Sequence, residues 1–285
     1  MHQTVLVVEN LWWPFGAHLL HMKWAYIYAL IHGYDFYYKY NASPVFKDGK
    51  VDYYFKSANT VNEEEINKKK LNYYIPNHSL KNIRGNFVPS EFENAEEFHS
   101  FILKKIYNPT EHIKQLINSN YLVQMLKCDN IKYIALHIRL GDKVSGSAKE
   151  TDLIPLDQYY EKCKEVKEKY GTRTIVVCSD TSCGLEEFIS FNTNDEFQIL
   201  FNNETRSKNV YDEALVQKVN RGYNDKEKLE SEYINCFINY ELLLNSEIII
   251  GNWDSCFCLV PVEIRNNKKD ININNTNTPI WGICK

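Results

Sequence analysis

The sequence predicts an α/β protein built on parallel sheets, and three observations predict it. The chain opens on a β-α-β unit. Its second half alternates short apolar runs with longer amphipathic segments. Polar clusters sit where those apolar runs end, which is where parallel sheets bind their ligands.

Thr4-Val-Leu-Val-Val-Glu9 is a short apolar run and reads as a buried strand. The loop Asn10-Leu-Trp-Trp-Pro-Phe-Gly16 follows, placing a glycine at the first strand-to-helix turn. Residues 17–32 place Leu19, Leu20, Met22, Trp24, Ile27, Tyr28 and Ile31 at helical spacing, and Gly33 is a natural stop. Asp35-Phe-Tyr-Tyr-Lys-Tyr40 reads as the second strand. Residues 41–95 contain Pro44, Gly49, Pro76, Gly85, Pro89 and the charge block Glu63–Lys70, which predicts loops and short elements without clear chemistry. Residues 94–127 read as mostly helical, with a break near Pro109.

The second half is cleaner. Lys132–Ile138, Thr174–Cys178, Glu196–Phe201 and Glu247–Gly251 read as strands. Helices are expected at Leu156–Lys169, closed by Gly171, and from Cys183. Two more are expected over 229–246, with an apolar stripe from Leu229 to Leu244, and from about Ser255. Pro261 is expected to strain the interior of that last helix. Two such units, joined near 95–128, predict two Rossmann-like domains with parallel sheets facing across a cleft, residues 1–127 and 128–285. No repeat of 20–50 residues is visible.

Composition narrows the function. The 285 residues are 44% hydrophobic and 25% charged, with a net charge of −4. That excludes a generally basic nucleic-acid coat. No apolar run is long enough to span a membrane. Met1-His2-Gln3-Thr4 lacks a charged leader and a cleavage site, so a soluble, cytoplasmic chain is expected. The eight cysteines include no C-x-x-C, only Cys256-x-Cys258, so neither a zinc site nor a disulfide framework is indicated. Asn41, Asn77, Asn203 and Asn274 begin Asn-x-Ser/Thr triplets that would matter only in a secretory lumen. The Asn-rich stretch Asp270–Thr278 reads as compositional bias.

The strongest polar signal is His137-Ile-Arg139-Leu-Gly141-Asp142-Lys143 at a strand end. His137 and Arg139 share a face in strand geometry. Arg139 offers a planar fork for two phosphate oxygens and Lys143 a point charge, a set that suits a nucleotide diphosphate. An ion-paired strand exit, with Asp142 satisfying Arg139, explains the same residues. Ser179-Asp180 and Asp254-Ser255 close two further strands. Each of Asp180, Asp254 and Ser255 could bind ligand or simply cap a helix.

These motifs resemble the fucosyltransferase superfamily of α1,6-, α1,2- and protein O-fucosyltransferases, and most closely its α1,6 group. His137-Ile-Arg-Leu-Gly-Asp-Lys-Val144 is similar to that group's His-Val-Arg-Arg-Thr-Asp-Lys-Val. Cys178-Ser-Asp180 resembles the second motif, Ile249–Cys258 the third, and Phe15–His21 the N-terminal turn. The matches span residues 15–36 and 132–265.

The resemblance implies a GT-B-like fold and an inverting, metal-independent glycosyltransferase that moves fucose from GDP-fucose to a glycan. The absence of a DxD motif is compatible with that. It implies that His137 contacts the base, Arg139 and Lys143 hold the diphosphate, and Asp142 orients them. Gly16 lets the first loop approach the phosphates, and Ser255 binds phosphate from the other side. Asp180 and Asp254 stand at the matching strand ends of the nucleotide site. The family's general base aligns with Glu150, with Asp152 second. The Asp by which the family reads guanine aligns with Asn239, which weakens guanine preference because an amide has one acceptor oxygen. Two alternatives stay open: a same-fold transferase using another nucleotide sugar, and a catalytically silent glycan- or nucleotide-binding module. No cofactor beyond the donor is expected.

Other constellations point to packing. His18-x-x-His21 sits in a helical pattern without a carboxylate partner. Trp12-Trp13 could stack on sugar or fill a core, and Asp52-Tyr-Tyr-Phe55 reads as core. No GxGxxG or P-loop is present.

Overall fold

A computed structural model describes residues 4–8, 15–39, 50–56, 60–61, 64, 72–74, 87–140, 152–204, 206 and 225–274. The first sheet contains β1 (Thr4–Val8), β2 (Asp35–Lys39), β3 (Thr60–Val61) and β4 (Asn72–Tyr74). All its pairings are parallel, in the order β3-β2-β1-β4. Helix α1 (Phe15–His32) connects β1 to β2 and ends at Gly33, whose φ of 65° only glycine adopts freely. The short strands β3 and β4 lie in the segment read as loops and short helices or strands, a reading that did not give their positions.

Three helices link the halves: α2 (Ala95–Ile106), α3 (Glu111–Ser119) and α4 (Tyr121–Cys128). Their starts are capped by Asn94, Thr110 and Asn120, whose side chains accept from Glu97, Ile113 and Val123 N–H groups. The break near Pro109 is present, and Asn120 adds a second. Its extended backbone ends α3 while its side chain starts α4.

The second sheet contains β5 (Tyr133–Ile138), β6 (Thr174–Ser179), β7 (Gln198–Phe201), β8 (Ile248–Gly251) and β9 (Ile271–Asn272). It is again wholly parallel, in the order β7-β6-β5-β8-β9. Strand β9 lies at the start of the Asn-rich stretch. Ile271 and Asn272 pair with Ile250 and Gly251, and the Asp270 carboxylate accepts from Ile249 N–H. Helices α5 (Leu156–Tyr170), α6 (Ser182–Ser190), α7 (Lys226–Leu244) and α8 (Cys256–Arg265) complete this half.

Alternation along the strands divides the core. Ile134, Leu136, Ile138, Ile175, Val177, Ile248 and Ile250 pack with Leu156, Tyr159 and Cys163 of α5 and Phe188 of α6. Ala135, Val176, Cys178 and Ile249 face the other way, toward Phe237 and Tyr240 of α7 and Leu259 of α8. That second cluster continues into Leu19, Met22 and Trp24 of α1, because α8 packs on both α1 and α2. Pro261 does not end α8: the helix runs on to Arg265, with Val260, Pro261, Val262 and Ile264 all buried. That packing offsets the lost hydrogen bond. No helix among the described residues is long and apolar enough to cross a membrane.

Candidate active site

In sheets of this order, ligands bind where the chain reverses direction across the sheet, at the carboxyl ends of the two central strands. In the second sheet those strands are β5 and β8. The residues facing each other there are His137 and Gly251, with Cys178 of β6 on the other side of His137. A Cβ on Gly251 would lie 2.5 Å from Cys258 Sγ and 3.2 Å from His137 Cβ. The missing side chain therefore makes room first for the Cys258 thiol and then for His137. The His137 ring stacks on Phe257 at 5.3 Å and is buried. Burial pushes its pKa down to about 4; Asp180 pulls it up and Arg139 pushes it further down. A neutral imidazole has one donor and one acceptor nitrogen, and Nδ1 has no partner among the described residues.

One step past β5, Arg139 Nη1 lies 2.8 Å from Asp180 Oδ2. The other oxygen, Asp180 Oδ1, accepts from Leu140 N–H at 3.0 Å. Asp180 thus ties the exits of β5 and β6 together and aims the guanidinium. It is not a helix cap, because Thr181 caps α6 by accepting from Gly184 N–H. The ion-paired strand exit is therefore present, with Asp180 as a partner of Arg139. Gly141, Asp142, Lys143 and Glu150 lie outside the described residues, as do Trp12 and Trp13. Asp152 is described and exposed.

Ser255 occupies the N-cap position of α8, yet its side chain makes no capping bond. The plain-cap reading of this hydroxyl is therefore overturned. Asp254 is not the cap either. It is buried, its Oδ2 accepts from Asn274, and Oδ1 has no partner among the described residues. Asn272 Oδ1 accepts from Trp253 N–H at 3.2 Å, so the Asn-rich stretch braces this loop.

Gly16 is the second residue of α1, in the first turn of that helix, and a Cβ there would sit 2.6 Å from the backbone of Cys256 and Phe257. What it admits is the first turn of α8. The glycine thereby seats α1 against the segment that holds Ser255 and Phe257.

Asn239 lies on α7 beside β6, where its backbone carbonyl accepts from Cys178 Sγ at 3.9 Å. Its Nδ2 donates to both oxygens of Glu204, at 3.1 and 3.2 Å. Glu204 pairs with Arg206 at 3.0 Å, and both side chains are buried. Burial pushes the Glu204 carboxyl up, while Arg206, Asn239 and Asn202 hold it down. Sequence reasoning missed Glu204 and Arg206. They follow the end of β7, and the strand-end rule applied to the other strands points to them.

Buried polar atoms without a partner cost about 1–3 kcal/mol each, so a cluster of them marks a place built for other atoms. Four gather around these strand ends: His137 Nδ1, Asn239 Oδ1, Trp253 Nε1 and Asp254 Oδ1. Among the described residues no group of three or more His, Cys, Asp or Glu side chains could hold a metal ion. His18 is a core residue of α1, near Tyr233, with its pKa lowered to about 3 by burial and then by His21. Tyr54 and Phe55 are fully buried, as the packing reading of that stretch expects.

A parallel sheet in the 3-2-1-4 order, with polar groups at its reversal point, defines a doubly wound α/β protein. Solved structures sharpen that class. The fucosyltransferase NodZ from Bradyrhizobium is 14% identical and superposes with a TM-score of 0.58, over 97% of this chain and 97% of its own. NodZ alpha-1,6-fucosyltransferase soaked with GDP-fucose is 13% identical, with a TM-score of 0.52 over 92% and 93%. POFUT1 in complex with GDP-fucose is 9% identical, with a TM-score of 0.52 over 95% and 97%. No family model matches the chain, and no curated protein matches it in sequence. The chain has a fucosyltransferase-like fold.

Proposed function

We propose that the chain is an inverting, metal-independent glycosyltransferase that transfers fucose from GDP-fucose to a glycan hydroxyl. The observation that carries this reading is the Arg139–Asp180 pair, set beside neutral His137 at the reversal point of a fucosyltransferase-like sheet. In this reading residues 1–127 and 128–285 are two Rossmann-like domains of GT-B type, the first meeting the acceptor and the second the nucleotide sugar. The structures that share the fold include fucosyltransferases with GDP-fucose, which supports that donor.

The chemistry needs a base, a leaving-group clamp and alignment. Glu150 takes the proton from the acceptor hydroxyl as its oxygen attacks the anomeric carbon from the face opposite the nucleotide. The bond to the diphosphate breaks, and the GDP leaves with the electron pair. Arg139 and Lys143 stabilise the growing charge, with Asp180 fixing the guanidinium and Asp142 orienting the cations. The Ser255 hydroxyl and the first N–H groups of α8 approach the phosphates from the other side, where the helix dipole favours negative charge.

The test is binding followed by turnover. GDP should raise the melting temperature equally with and without EDTA, because the clamp is made of side chains. Glu150→Gln should reduce transfer strongly at unchanged GDP affinity. Stabilisation that appears only with Mg²⁺ or Mn²⁺ sinks the metal-independent reading. Full turnover in Glu150→Gln moves the base elsewhere, Asp152 first.

A further inference from the structure

We propose that Glu204 is a positioning residue that fixes which end of the Asn239 amide reads the donor's base. The inference rests on the nucleotide-sugar reading above and deepens it.

An asparagine amide has two ends of nearly equal size and opposite hydrogen-bonding sense: NH₂ donates and C=O accepts. Which end faces a ligand depends on what holds the other. Here the choice is forced. Both Glu204 oxygens lie within 3.1 and 3.2 Å of Asn239 Nδ2. A carboxylate only accepts, so turning the amide over would set three acceptors against one another. Glu204 is itself fixed. Arg206 pairs with it at 3.0 Å and is anchored to the Ser179 carbonyl at 3.1 Å and the Asn202 carbonyl at 2.8 Å. Both charged side chains are buried, so the pair stands out of water, past the end of β7 and against the Ser179 carbonyl at the end of β6.

The consequence is one fixed acceptor. Asn239 Oδ1 is buried, has no partner among the described residues, and lies beside the strand end where His137 Nδ1 also lacks one. A fixed acceptor suits a ring N–H and rejects a bare ring nitrogen. Guanine presents N1–H at its pairing edge, where adenine presents a lone pair. The amide reversed would invert that preference. A lone amide at 239 is thus ambiguous, and Glu204 makes it behave like a carboxylate.

The experiment compares GDP and ADP binding by calorimetry in four proteins: wild type, Glu204→Gln, Asn239→Asp and Glu204→Gln/Asn239→Asp. Glutamine can face Asn239 with either end, so Glu204→Gln should lower the GDP:ADP affinity ratio by about tenfold or more, one buried hydrogen bond gained or lost. Asn239→Asp sets two carboxylates together and should weaken GDP binding. The double variant exchanges the two groups: the amide now stands at position 204 and donates to the carboxylate at position 239. The second oxygen of that carboxylate remains as the acceptor for the base. Its GDP:ADP ratio should return to within about threefold of wild type, a residual of under about 1 kcal/mol.

A structural role alone would lower GDP and ADP binding together. That result in Glu204→Gln, or a double variant that folds but does not recover the ratio, overturns the inference. Should Glu204→Gln not fold, the double variant still decides. Equal binding of GDP and ADP by wild type overturns base reading by Asn239 and leaves the diphosphate site standing. Binding of neither removes the transferase reading, and the inference with it.

Discussion

Replacing Gly16 by alanine puts one methyl group where the fold has no room. Its Cβ would lie 2.6 Å from Cys256 C, Cys256 O and Phe257 N. All three are backbone atoms of the first turn of α8, so no rotamer change relieves the contact. Ordinary carbon contacts begin near 3.5 Å, so α1 and α8 must separate by about 0.9 Å. Overpacking of this kind costs about 1–3 kcal/mol. Gly16 is the second residue of α1, so the same change gains less than the roughly 1 kcal/mol of helix propensity it would bring in a helix interior, and the overpacking decides the sign. At about 2–4 °C per kcal/mol for a chain of this size, the net expectation is a fall of several degrees in melting temperature. Phe257 moves with α8 and stacks on His137, so GDP affinity should fall as well. Thermal unfolding and GDP titration of Gly16→Ala measure both. A melting temperature equal to or above wild type, with GDP binding intact, would refute the close approach of α1 to α8.

Acid should destabilise the fold through three buried histidines. His18 and His99 are pushed down to about 3 and His137 to about 4, chiefly by burial. Their contribution is full above the unfolded value near 6.5 and is lost as pH falls toward those values. Asp270, pushed up to about 6 by burial against the pull of Arg265, works the other way, losing its contribution as pH rises from about 4 to 6. Glu204, whose carboxyl is also pushed up by burial, acts in the same sense as Asp270, so three histidines stand against two carboxylates and the net is about one proton, on the order of 1 kcal/mol per pH unit below pH 6. An unchanged melting temperature from pH 7 to pH 5 would contradict it. Arg139→Ala should reduce transfer by about 10²–10³. Its stability loss should be about 1 kcal/mol or less, because the Asp180 pair is partly exposed; near-wild-type turnover would remove Arg139 from the leaving-group clamp. Gly251→Ala should displace His137, since its Cβ would meet both Cys258 Sγ and His137 Cβ. An unchanged GDP affinity would show that His137 does not touch the nucleotide.

The long elements were legible because their signals are local. The apolar runs at 133–138, 174–179 and 248–251 are buried on both faces, so they read as strands without help from context. Gly33 and Gly171 end helices by adopting positive φ, a property of the residue itself. Strands β3, β4 and β9 were not legible. Each is two or three residues long and exists because a longer neighbour offers it a hydrogen-bonding edge. Ile271 and Asn272 are indistinguishable from the surrounding Asn-rich stretch until β8 is placed beside them.

The candidate site divides in the same way. His137 and Arg139 announce themselves, since charged and aromatic donors at the end of an apolar strand need a reason to be there. Their partners come from elsewhere in the chain. Asp180 pairs with Arg139 across 41 positions of sequence, and Glu204 meets Asn239 across 35. Gly16 meets Cys256 across nearly the whole chain. The class of fold, the strand ends and the cation that faces them are readable in short segments, because periodicity and residue chemistry are local properties. That Asp180 pairs with Arg139, that the missing side chain of Gly16 admits α8, and that the Asn239 amide turns its NH₂ to Glu204 follow from the folded arrangement alone. Those depend on distances between atoms far apart in sequence, which the pairing of β5 with β6 and the packing of α8 on α1 and α7 bring together.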